Sequence, residues 1–323
     1  MHAITIDQSS RGLSWAAVAA PTPAAGEVLI RVRATAVNRA DLIQRAGHYA
    51  PPPGASPILG LECAGVIKAI GDGVSGFAPG DRVCALLSGG GYAEQVTVPI
   101  GQLLPIPDGM SFTEAAALPE VLTTAWLNLY REAALQPGER VLLHAGASGV
   151  GTAAIQLLRR SGNPCFVTAG SDDKIARCVA LGADGGANRH SGPWRPAVRS
   201  WAGGGVDAIL DPAGAGYLDE NLRSLATGGR LIVIGLLTGR TAELDLGRLM
   251  IKRLRVVGSA LRGRSSTDKA DIIAGLRADA WPAVARGEIR PIIDRILPIQ
   301  DAAQAHAIIQ SNQTVGKVVL TMP

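Results

Sequence analysis

Apolar and polar residues alternate in several short segments in the first third of the chain. Residues 26–38 (GEVLIRVRATAVN) alternate with the period of a half-buried strand, and residues 80–88 and 91–99 are similar runs bounded by glycine and proline. Residues 48–57 contain three consecutive prolines, which fit neither a helix interior nor a central strand and so indicate a loop. These features predict a small, irregular β barrel.

The pattern changes to helical spacing near residue 111. Ser111 and Glu114 have the spacing of a capping box, and apolar residues then recur at helical intervals to about residue 135. From residue 138 onward, strand-like runs alternate with helical ones, the strands being VLLH, PCFVTAG, GVDAILDPAG, GGRLIVIGLL and RVVGSAL. Such alternation predicts a doubly wound parallel sheet and the α/β class. Two later strands, RPIIDRILP and GKVVLTM, are expected to rejoin the first domain.

Composition narrows the class of protein. The chain has 323 residues, 47% of them hydrophobic and 18% charged, which suits a globular protein of about two domains. The formal net charge is +4, the basic residues are scattered and aromatic residues make up 4%, so nucleic-acid binding is not expected. Four cysteines without CxxC spacing predict free thiols in the cytoplasm. No signal peptide or membrane span is expected.

The glycine-rich sequence HAGASGVG is the strongest chemical signal. Gly146, Gly149 and Gly151 follow a predicted strand and open a predicted helix, the context in which backbone N–H groups bind a pyrophosphate. Ser148 occupies the usual place of the second glycine, where a small side chain still permits close approach and its hydroxyl can donate to phosphate. The alternative is a strand–helix turn that binds no ligand.

The end of the next strand indicates which dinucleotide is bound. NAD-binding folds usually place Asp or Glu about 20 residues further on, where it binds the ribose 2′-hydroxyl. Here Ala169 stands in that place, followed by Gly170 and Ser171. The absent carboxylate leaves room for a 2′-phosphate, and Lys174 and Arg189 are the predicted cationic partners. Two aspartates at the start of the next helix weaken this argument unless they only offset the helix dipole.

Several stretches between Ala36 and Leu320, in the expected order, resemble the medium-chain dehydrogenase/reductase superfamily. They are AVNRADLIQRAGHYAPPPGASPILGLECAGVI, GGGYAEQVTVP, LPEVLTTAWLNLY, HAGASGVGTAAIQL, ALRGR and AHAIIQSNQTVGKVVL. Within it the chain most resembles the zinc-free, zeta-crystallin-like quinone oxidoreductases, especially their p53-inducible type. The resemblance implies a GroES-like catalytic domain over 1–121, completed by 261–323, and a Rossmann NADPH-binding domain over 122–260.

The stretch ILGLECAGVI places Glu62 beside Cys63 and raises the question of a metal site. Zinc-dependent relatives carry Cys and His at the positions of Asn38 and Leu61, so the resemblance implies no metal. Glu62 is then expected to be a structural partner of an arginine or of a backbone N–H. Cys63 is expected to be a buried small residue and not a reactive thiol.

The resemblance also implies site residues. Tyr49 and Asn38 are the candidate catalytic residues, with Tyr49 donating a proton or hydrogen bond to a developing oxyanion; the alternative for Tyr49 is a ring packed under the proline loop. Arg189 stands where many relatives have an adenine-stacking Tyr, and its role, stacking or phosphate binding, stays open. The implied cofactor contacts are Asn38, Tyr49, Thr124, Gly146, Ala147, Ser148, Gly149, Val150, Gly151, Gly170, Ser171, Lys174, Arg189, Gly235, Leu236, Leu237, Ala260, Leu261 and Asn312.

The predicted function is transfer of reducing equivalents from NADPH to quinones or related α,β-unsaturated carbonyls, without zinc. A homodimer is expected, paired through the strand in residues 254–261. One alternative is reduction of enoyl thioesters. Another is a non-enzymatic role, either RNA binding or bulk structure as in crystallins. The physiological substrate and the choice between one- and two-electron reduction stay open.

Overall fold

A computed structural model describes all 323 residues. The chain divides into two compact units. Unit 1 comprises Met1–Thr123 and Leu261–Pro323, and unit 2 comprises Thr124–Ala260. The first boundary lies two residues after the one expected from the sequence. None of the helices is both long enough and apolar enough to cross a lipid bilayer.

Unit 1 is built mainly of β structure. Its strands are β1 (His2–Ile6), β2 (Leu13–Ala17), β3 (Glu27–Ala36), β4 (Glu62–Ile70), β5 (Arg82–Leu86), β6 (Gln95–Pro99), β7 (Leu103–Pro105), β14 (Ile293–Pro298) and β15 (Lys317–Thr321). Its helices are α1 (Arg39–Arg45), α2 (Phe112–Ala115), α3 (Pro119–Trp126), which runs on into unit 2, and, after the second boundary, α9 (Ser266–Asp279), α10 (Trp281–Ala285) and α11 (Ala302–Gln310).

The main sheet of unit 1 has the order β14-β15-β3-β4-β5-β7, and β6 pairs with β3. Strand β3 is long and central, because its alternating apolar residues Val28, Ile30 and Val32 are buried in the core. Strand β15 pairs antiparallel with β3, placing Val319 opposite Ala36. The last strands of the chain therefore complete the first domain, as predicted.

Unit 2 holds a six-stranded, entirely parallel sheet in the order β10-β9-β8-β11-β12-β13. Its strands are β8 (Val141–Leu143), β9 (Cys165–Ala169), β10 (Gly185–Asn188), β11 (Val206–Asp211), β12 (Leu225–Val233) and β13 (Arg255–Gly258). The connecting helices are α4 (Gly149–Ser161), α5 (Asp172–Leu181), α6 (Arg195–Ala202), α7 (Leu218–Ser224) and α8 (Leu246–Ile251). The predicted Rossmann fold is confirmed, since the strand order reverses between β8 and β11.

Some elements differ from the sequence expectation. The helical run over 111–135 is three pieces. Helix α2 ends at Ala115, Pro119 begins α3, and Leu127–Glu132 then forms a π-helical turn. The capping box of α2 is present, with Glu114 N–H donating to Ser111 Oγ at 3.2 Å. The β1–β2 hairpin and the short helices α1 and α6 were not predicted.

Candidate functional site

The glycine turn of unit 2 lies between β8 and α4. Ala145 adopts a positive φ of 53°, a strained conformation for a residue with a side chain. A Cβ on Gly146 would lie 2.6 Å from Val167 Cβ, and one on Gly151 would lie 2.6 Å from Ala145 O. Ser148 caps α4 by accepting a hydrogen bond from Gly151 N–H at 3.1 Å. Packing alone thus requires two of the glycines, and Ser148 is a helix cap whose hydroxyl proton is still available to a ligand.

The other predicted contacts of unit 2 follow the carboxyl ends of neighbouring strands. Gly170 and Ser171 follow β9, Arg189 follows β10 and Gly235–Leu237 follow β12. These ends meet at one edge of a parallel sheet, beside the glycine turn after β8. In open α/β sheets this edge, at the point where strand order reverses, is where ligands bind.

The end of β9 carries a cation instead of an acid. Ala169 is buried, and a Cβ on Gly170 would lie 3.0 Å from Arg189 Nη1, so the guanidinium rests against the bare glycine. The Arg189 side chain makes no hydrogen bond or ion pair within the protein. Ser171 caps α5 by accepting from Lys174 N–H at 3.3 Å. The arrangement presents a positive charge where NAD-binding sites carry a carboxylate.

A network of buried polar side chains, which was not predicted from the sequence, supports the same edge of the sheet. Asp211 accepts hydrogen bonds from Ala213 N–H (2.6 Å), Gly214 N–H (3.1 Å) and Asn221 Nδ2 (3.0 Å). Burial raises the pKa of Asp211 to about 6. Asn221 Oδ1 lies 2.7 Å from His144 Nε2, which explains His144 as a structural residue.

The Asp211 network also holds the backbone of residues 212–214, which in turn supports Gly235–Leu237. Thr238 N–H donates to Ala213 O at 2.8 Å, and Leu237 N–H donates to Pro212 O at 3.2 Å. Leu236 and Leu237, in the loop after β12, are each 56% exposed, a high fraction for leucine. Thr124 is half-buried, and its carbonyl accepts from Asn128 Nδ2 at 2.7 Å. Ala260, the last residue of unit 2, is exposed.

In unit 1 the Glu62 carboxylate lies at the centre of a buried polar cluster. Glu62 Oε1 accepts from Lys317 Nζ at 2.8 Å and from Asn38 Nδ2 at 2.9 Å. Glu62 Oε2 accepts from Glu120 N–H at 2.9 Å. One of the two expected partners, a backbone N–H, is thus present. The partner cation is Lys317, on β15, and not an arginine. Cys63 is buried, and burial raises the pKa of its thiol far above the usual range, as expected for an unreactive residue.

Asn38 caps α1 and connects this cluster to a second buried carboxylate. Its side-chain oxygen accepts from Lys317 Nζ at 2.6 Å, and its backbone N–H donates to Asp41 Oδ2 at 2.8 Å. Tyr92 Oη lies 3.3 Å from Asp41 Oδ2 and 3.2 Å from His306 Nε2. Burial raises the pKa of Asp41 to about 6 and lowers that of His306 to about 4. His306 is thus a core residue.

The Tyr49 ring packs against a cation. Arg262 Cζ lies 5.0 Å from the ring centroid, and Arg262 also donates to Ser88 O (2.8 Å) and Gln44 Oε1 (2.7 Å). Tyr49 is half-buried, and its hydroxyl has no hydrogen-bond partner in the protein. Burial is the main cause that raises the pKa of Tyr49. Arg262 therefore holds the ring in place while leaving the hydroxyl unused.

Lys269 adds a second buried cation beside Arg262. Lys269 Nζ donates to Ser88 Oγ and to Arg262 O, both at 2.6 Å. Arg262 and Lys269 are each 3% exposed, and neither has a carboxylate within the 4.0 Å of an ion pair. Burial lowers the pKa of both. Two unpaired buried charges are costly unless the site uses them.

Glu120, which the sequence reading did not single out, lies in the first turn of α3. Its backbone N–H is bound by Glu62, but its carboxyl group makes no hydrogen bond or ion pair. The side chain is half-buried. Burial, and then the charge of Glu62, raise the pKa of Glu120 to about 8. The sequence does not single out Glu120, because an acid near the start of a helix is expected from dipole stabilisation alone.

Two other predicted residues lie in unit 1. Asn312 follows α11 with a positive φ of 56°, and its Oδ1 accepts from Arg39 Nη2 at 2.6 Å. Leu261 begins the returning segment and is buried.

Comparison with known proteins identifies the family. Residues 24–108 match the family described as alcohol dehydrogenase GroES-like domain, and residues 149–274 match the one described as zinc-binding dehydrogenase. The quinone oxidoreductase of Rattus norvegicus is 32% identical over 308 residues, covering 94% of this chain and 92% of that one. The chain belongs to the medium-chain dehydrogenase/reductase superfamily.

Other members of the superfamily are similar over most of this chain. The synaptic vesicle membrane protein VAT-1 homolog of Homo sapiens is 33% identical, covering 94% of this chain and 80% of that one. The quinone oxidoreductase of Thermus thermophilus, whose structures include a complex with NADPH, superposes with a TM-score of 0.84 at 33% identity, covering 99% of this chain and all of that one. The predicted superfamily is confirmed.

The side chains of this superfamily member do not suit the zinc that one matched family description names. The buried, apolar Leu61 offers no donor atom. Asn38 and Glu62 are already bound to the Lys317 ammonium group, at 2.6 Å and 2.8 Å. A cation placed there would meet a fixed positive charge.

Proposed function

We propose that this chain is an NADPH-dependent reductase of quinones or related α,β-unsaturated carbonyls that works without zinc. The observation that carries the proposal is the end of β9, where Gly170 and the unpartnered Arg189 guanidinium replace a carboxylate. A cation there favours a 2′-phosphate, and the Thermus relative is known in complex with NADPH.

The nucleotide fits the residues of unit 2. The N-terminus of α4 offers backbone N–H groups to the pyrophosphate, from Gly146 to Gly151, and Ser148 can add its hydroxyl. Ser171, Lys174 and Arg189 would hold the adenosine phosphate, and Gly235–Leu237 and Thr124 the nicotinamide half. Asn38, Tyr49, Leu261 and Asn312 of unit 1 and Ala260 remain proposed contacts. The bound cofactor supplies the hydride.

The proposed substrate class is supported by the side chains of Asn38, Leu61 and Glu62, which do not suit a zinc ion. Without a Lewis acid, the substrate must accept hydride easily and spread the resulting charge onto oxygen, as quinones and enones do. The free hydroxyl of Tyr49 is the proposed donor toward that oxygen. Asn38, the other candidate catalytic residue, is held in place by its hydrogen bonds to Glu62 and Lys317.

We also propose a cytoplasmic homodimer paired through β13. This strand is the edge of the parallel sheet, and Val256 on it is 41% exposed. The preceding helix α8 exposes Met250 (73%) and Ile251 (76%). An open edge strand beside exposed apolar residues is a surface that a second copy would cover. All four cysteines are free thiols, in keeping with a reducing compartment.

The deciding experiment measures NADPH oxidation against ortho-quinones, para-quinones, enones and enoyl-CoA thioesters. The proposal expects turnover of quinones or enones above enoyl thioesters, and the reverse ranking would favour the enoyl-thioester alternative. No turnover of any compound, combined with salt-resistant retention of random RNA in filter binding, would support the non-enzymatic alternative.

A further inference from the structure

Arg262 is a buried cation whose hydrogen-bond acceptors are all neutral. It is 3% exposed. Its Nε donates to Ser88 O at 2.8 Å, its Nη2 to Gln44 Oε1 at 2.7 Å and its Nη1 to Tyr49 O at 3.4 Å. A guanidinium keeps its proton in proteins, so the full positive charge remains and no contact neutralises it. Such a charge is costly in the interior unless a neighbouring group uses it.

The Tyr49 ring is a group that this charge faces. Arg262 Cζ lies 5.0 Å from the ring centroid, within the distance at which a cation and an aromatic face attract each other. The tyrosine is half-buried, and its hydroxyl makes no hydrogen bond within the protein. A positive charge beside a phenol stabilises negative charge on the phenol oxygen, so it makes the hydroxyl a stronger hydrogen-bond donor. In keeping with this, burial and Glu120 raise the pKa of Tyr49, whereas Arg262 lowers it.

Arg262 also holds both ends of the proline loop, residues 48–57, which carries this ring. At the start of the loop it contacts the Tyr49 carbonyl directly. At the end of the loop the link is Gln44, which accepts from Arg262 and donates through Nε2 to Pro57 O at 2.8 Å. One guanidinium thus sets the position of the loop and of the ring on it.

The place of the Arg262 charge is fixed by a second buried residue. Lys269, also 3% exposed, donates from Nζ to Arg262 O and to Ser88 Oγ, both at 2.6 Å. Asp41 and Glu120 are the carboxyl groups that act on Arg262, and neither forms an ion pair with it. The guanidinium is therefore held beside the ring by neutral contacts, and its field is not cancelled by a bound carboxylate.

We propose that Arg262 is a positioning residue that acts through Tyr49. Its guanidinium orients the ring and, by its charge, strengthens the hydrogen bond that the Tyr49 hydroxyl donates to the oxyanion formed when the substrate is reduced. The inference rests on the proposed function, in which Tyr49 is that donor. The hydroxyl keeps its proton in this step, because it donates a hydrogen bond only. The effect is greatest for enones whose reduction places the negative charge on one oxygen, and smaller for quinones whose reduced anion spreads it over a ring.

The test compares wild type with Arg262→Met, Arg262→Lys, Tyr49→Phe and the double variant Arg262→Met/Tyr49→Phe. The control is Arg286→Met, which removes an arginine of unit 1 whose side chain is 58% exposed and pairs with Glu288. The first readout is fluorine NMR of protein labelled with 3-fluorotyrosine, without cofactor or substrate. The four tyrosines give four signals, and Tyr49→Phe identifies the Tyr49 signal.

The Tyr49 signal should titrate at higher pH in Arg262→Met than in wild type or Arg286→Met. Arg262→Lys retains the charge and should keep most of the wild-type position. An identical titration in Arg262→Met and wild type would overturn the proposal. Arg262→Lys that matches Arg262→Met would also overturn it, because a residue that only ties the loop together would be lost equally in both. The other three signals show whether the fold is kept, and Arg262→Gln takes the place of Arg262→Met if they change.

The second readout is kcat and KM with an enone and NADPH at pH 7. Arg262→Met should lower kcat by roughly ten- to hundred-fold with little change in KM, since the bond to the oxyanion forms only as charge develops. The loss should be smaller with para-quinones, and Arg286→Met should match wild type.

The double variant decides whether Arg262 acts through Tyr49. In the Tyr49→Phe background, Arg262→Met should cause no further loss of kcat. Additive losses in an active enzyme would overturn the role of Arg262 alone. Wild type inactive on every compound would instead overturn the proposed function and, with it, this role.

Discussion

Lys317 and Glu62 form a buried ion pair whose removal should be costly. Their side chains are 4% and 0% exposed, and Nζ lies 2.8 Å from Oε1. Lys317→Met removes the ammonium group, which also donates to Val37 O and to Asn38 Oδ1. The Glu62 carboxylate would then keep only the Asn38 amide and the Glu120 N–H.

The expected loss can be bounded from this geometry. Two unit charges 2.8 Å apart attract by about 6 kcal/mol at an effective dielectric constant of about 20. Desolvation of both groups offsets much of that attraction, so the pair adds little net stability over an apolar pair. Leaving one partner buried and uncompensated typically costs about 3–5 kcal/mol. Lys317→Met should lower the free energy of unfolding by about that amount.

The assay is urea unfolding at pH 7, accompanied by hydrogen exchange resolved by peptide. Faster exchange is expected in peptides from β3, β4 and β15, while peptides from unit 2 serve as the internal reference. Lys68→Met is the matched control, because Lys68 lies on β4, is exposed and bonds only the Gln95 side chain at 3.1 Å. It should change stability by less than about 0.5 kcal/mol. Lys317→Arg retains the charge and should lose less than Lys317→Met.

A double-mutant cycle isolates the pair. Glu62→Gln combined with Lys317→Met removes both charges, so the double variant should be more stable than the sum of the single losses predicts, by about 2 kcal/mol or more. Additive losses, or a Lys317→Met variant as stable as Lys68→Met, would refute the view that this lysine compensates a buried carboxylate.

Three further outcomes are expected. Lys174→Ala should raise KM for NADPH by about ten- to hundred-fold, because ~1.5–3 kcal/mol of charge-assisted hydrogen bonding is lost, and should barely alter NADH kinetics. Arg189→Ala should raise KM for NADPH more weakly. Equal losses with both cofactors in Lys174→Ala would refute a phosphate contact at Lys174. Elemental analysis after mild chelation should find no stoichiometric zinc; one zinc per chain, with activity lost on stronger chelation, would contradict the zinc-free assignment. Light scattering should show a dimer at micromolar concentration and a monomer for Met250→Glu, whereas a monomeric wild type would count against pairing through β13.

Local periodicity predicted the parallel sheet of unit 2 because each strand and helix there is a contiguous run with its own hydrophobic pattern. The glycine turn was predictable for the same reason, as Gly146 and Gly151 are required by packing within a single strand–turn–helix. Short elements escaped detection. Helix α6 has eight residues with Pro196 in its first turn, and its apolar face is only visible once β10 and α7 are in place.

The candidate site of unit 1 was less predictable. The sequence predicted Glu62 to be a structural carboxylate but did not predict Lys317 as its partner. Lys317 lies on β15, near the end of the chain, and no rule of sequence spacing connects the two residues. Glu120 and Arg262 carry only ordinary local signals: Glu120 lies at a helix start, and Arg262 lies in the short basic stretch ALRGR. Their significance appears only from burial and from missing partners, which are properties of the folded unit.

The insertion of β15 between β14 and β3 has a consequence for biosynthesis. Asn38 and Lys317 are 279 residues apart, and the whole of unit 2 is made between them. Unit 2 is one continuous segment and can fold as it leaves the ribosome. The sheet of unit 1 stays incomplete until β15 emerges, because the strand between β14 and β3 is missing and the Glu62 carboxylate still lacks Lys317. The nascent chain therefore exposes the edge of β3 throughout the synthesis of unit 2. That edge is where a chaperone would be expected to engage this protein, and where premature termination would leave a chain prone to aggregate.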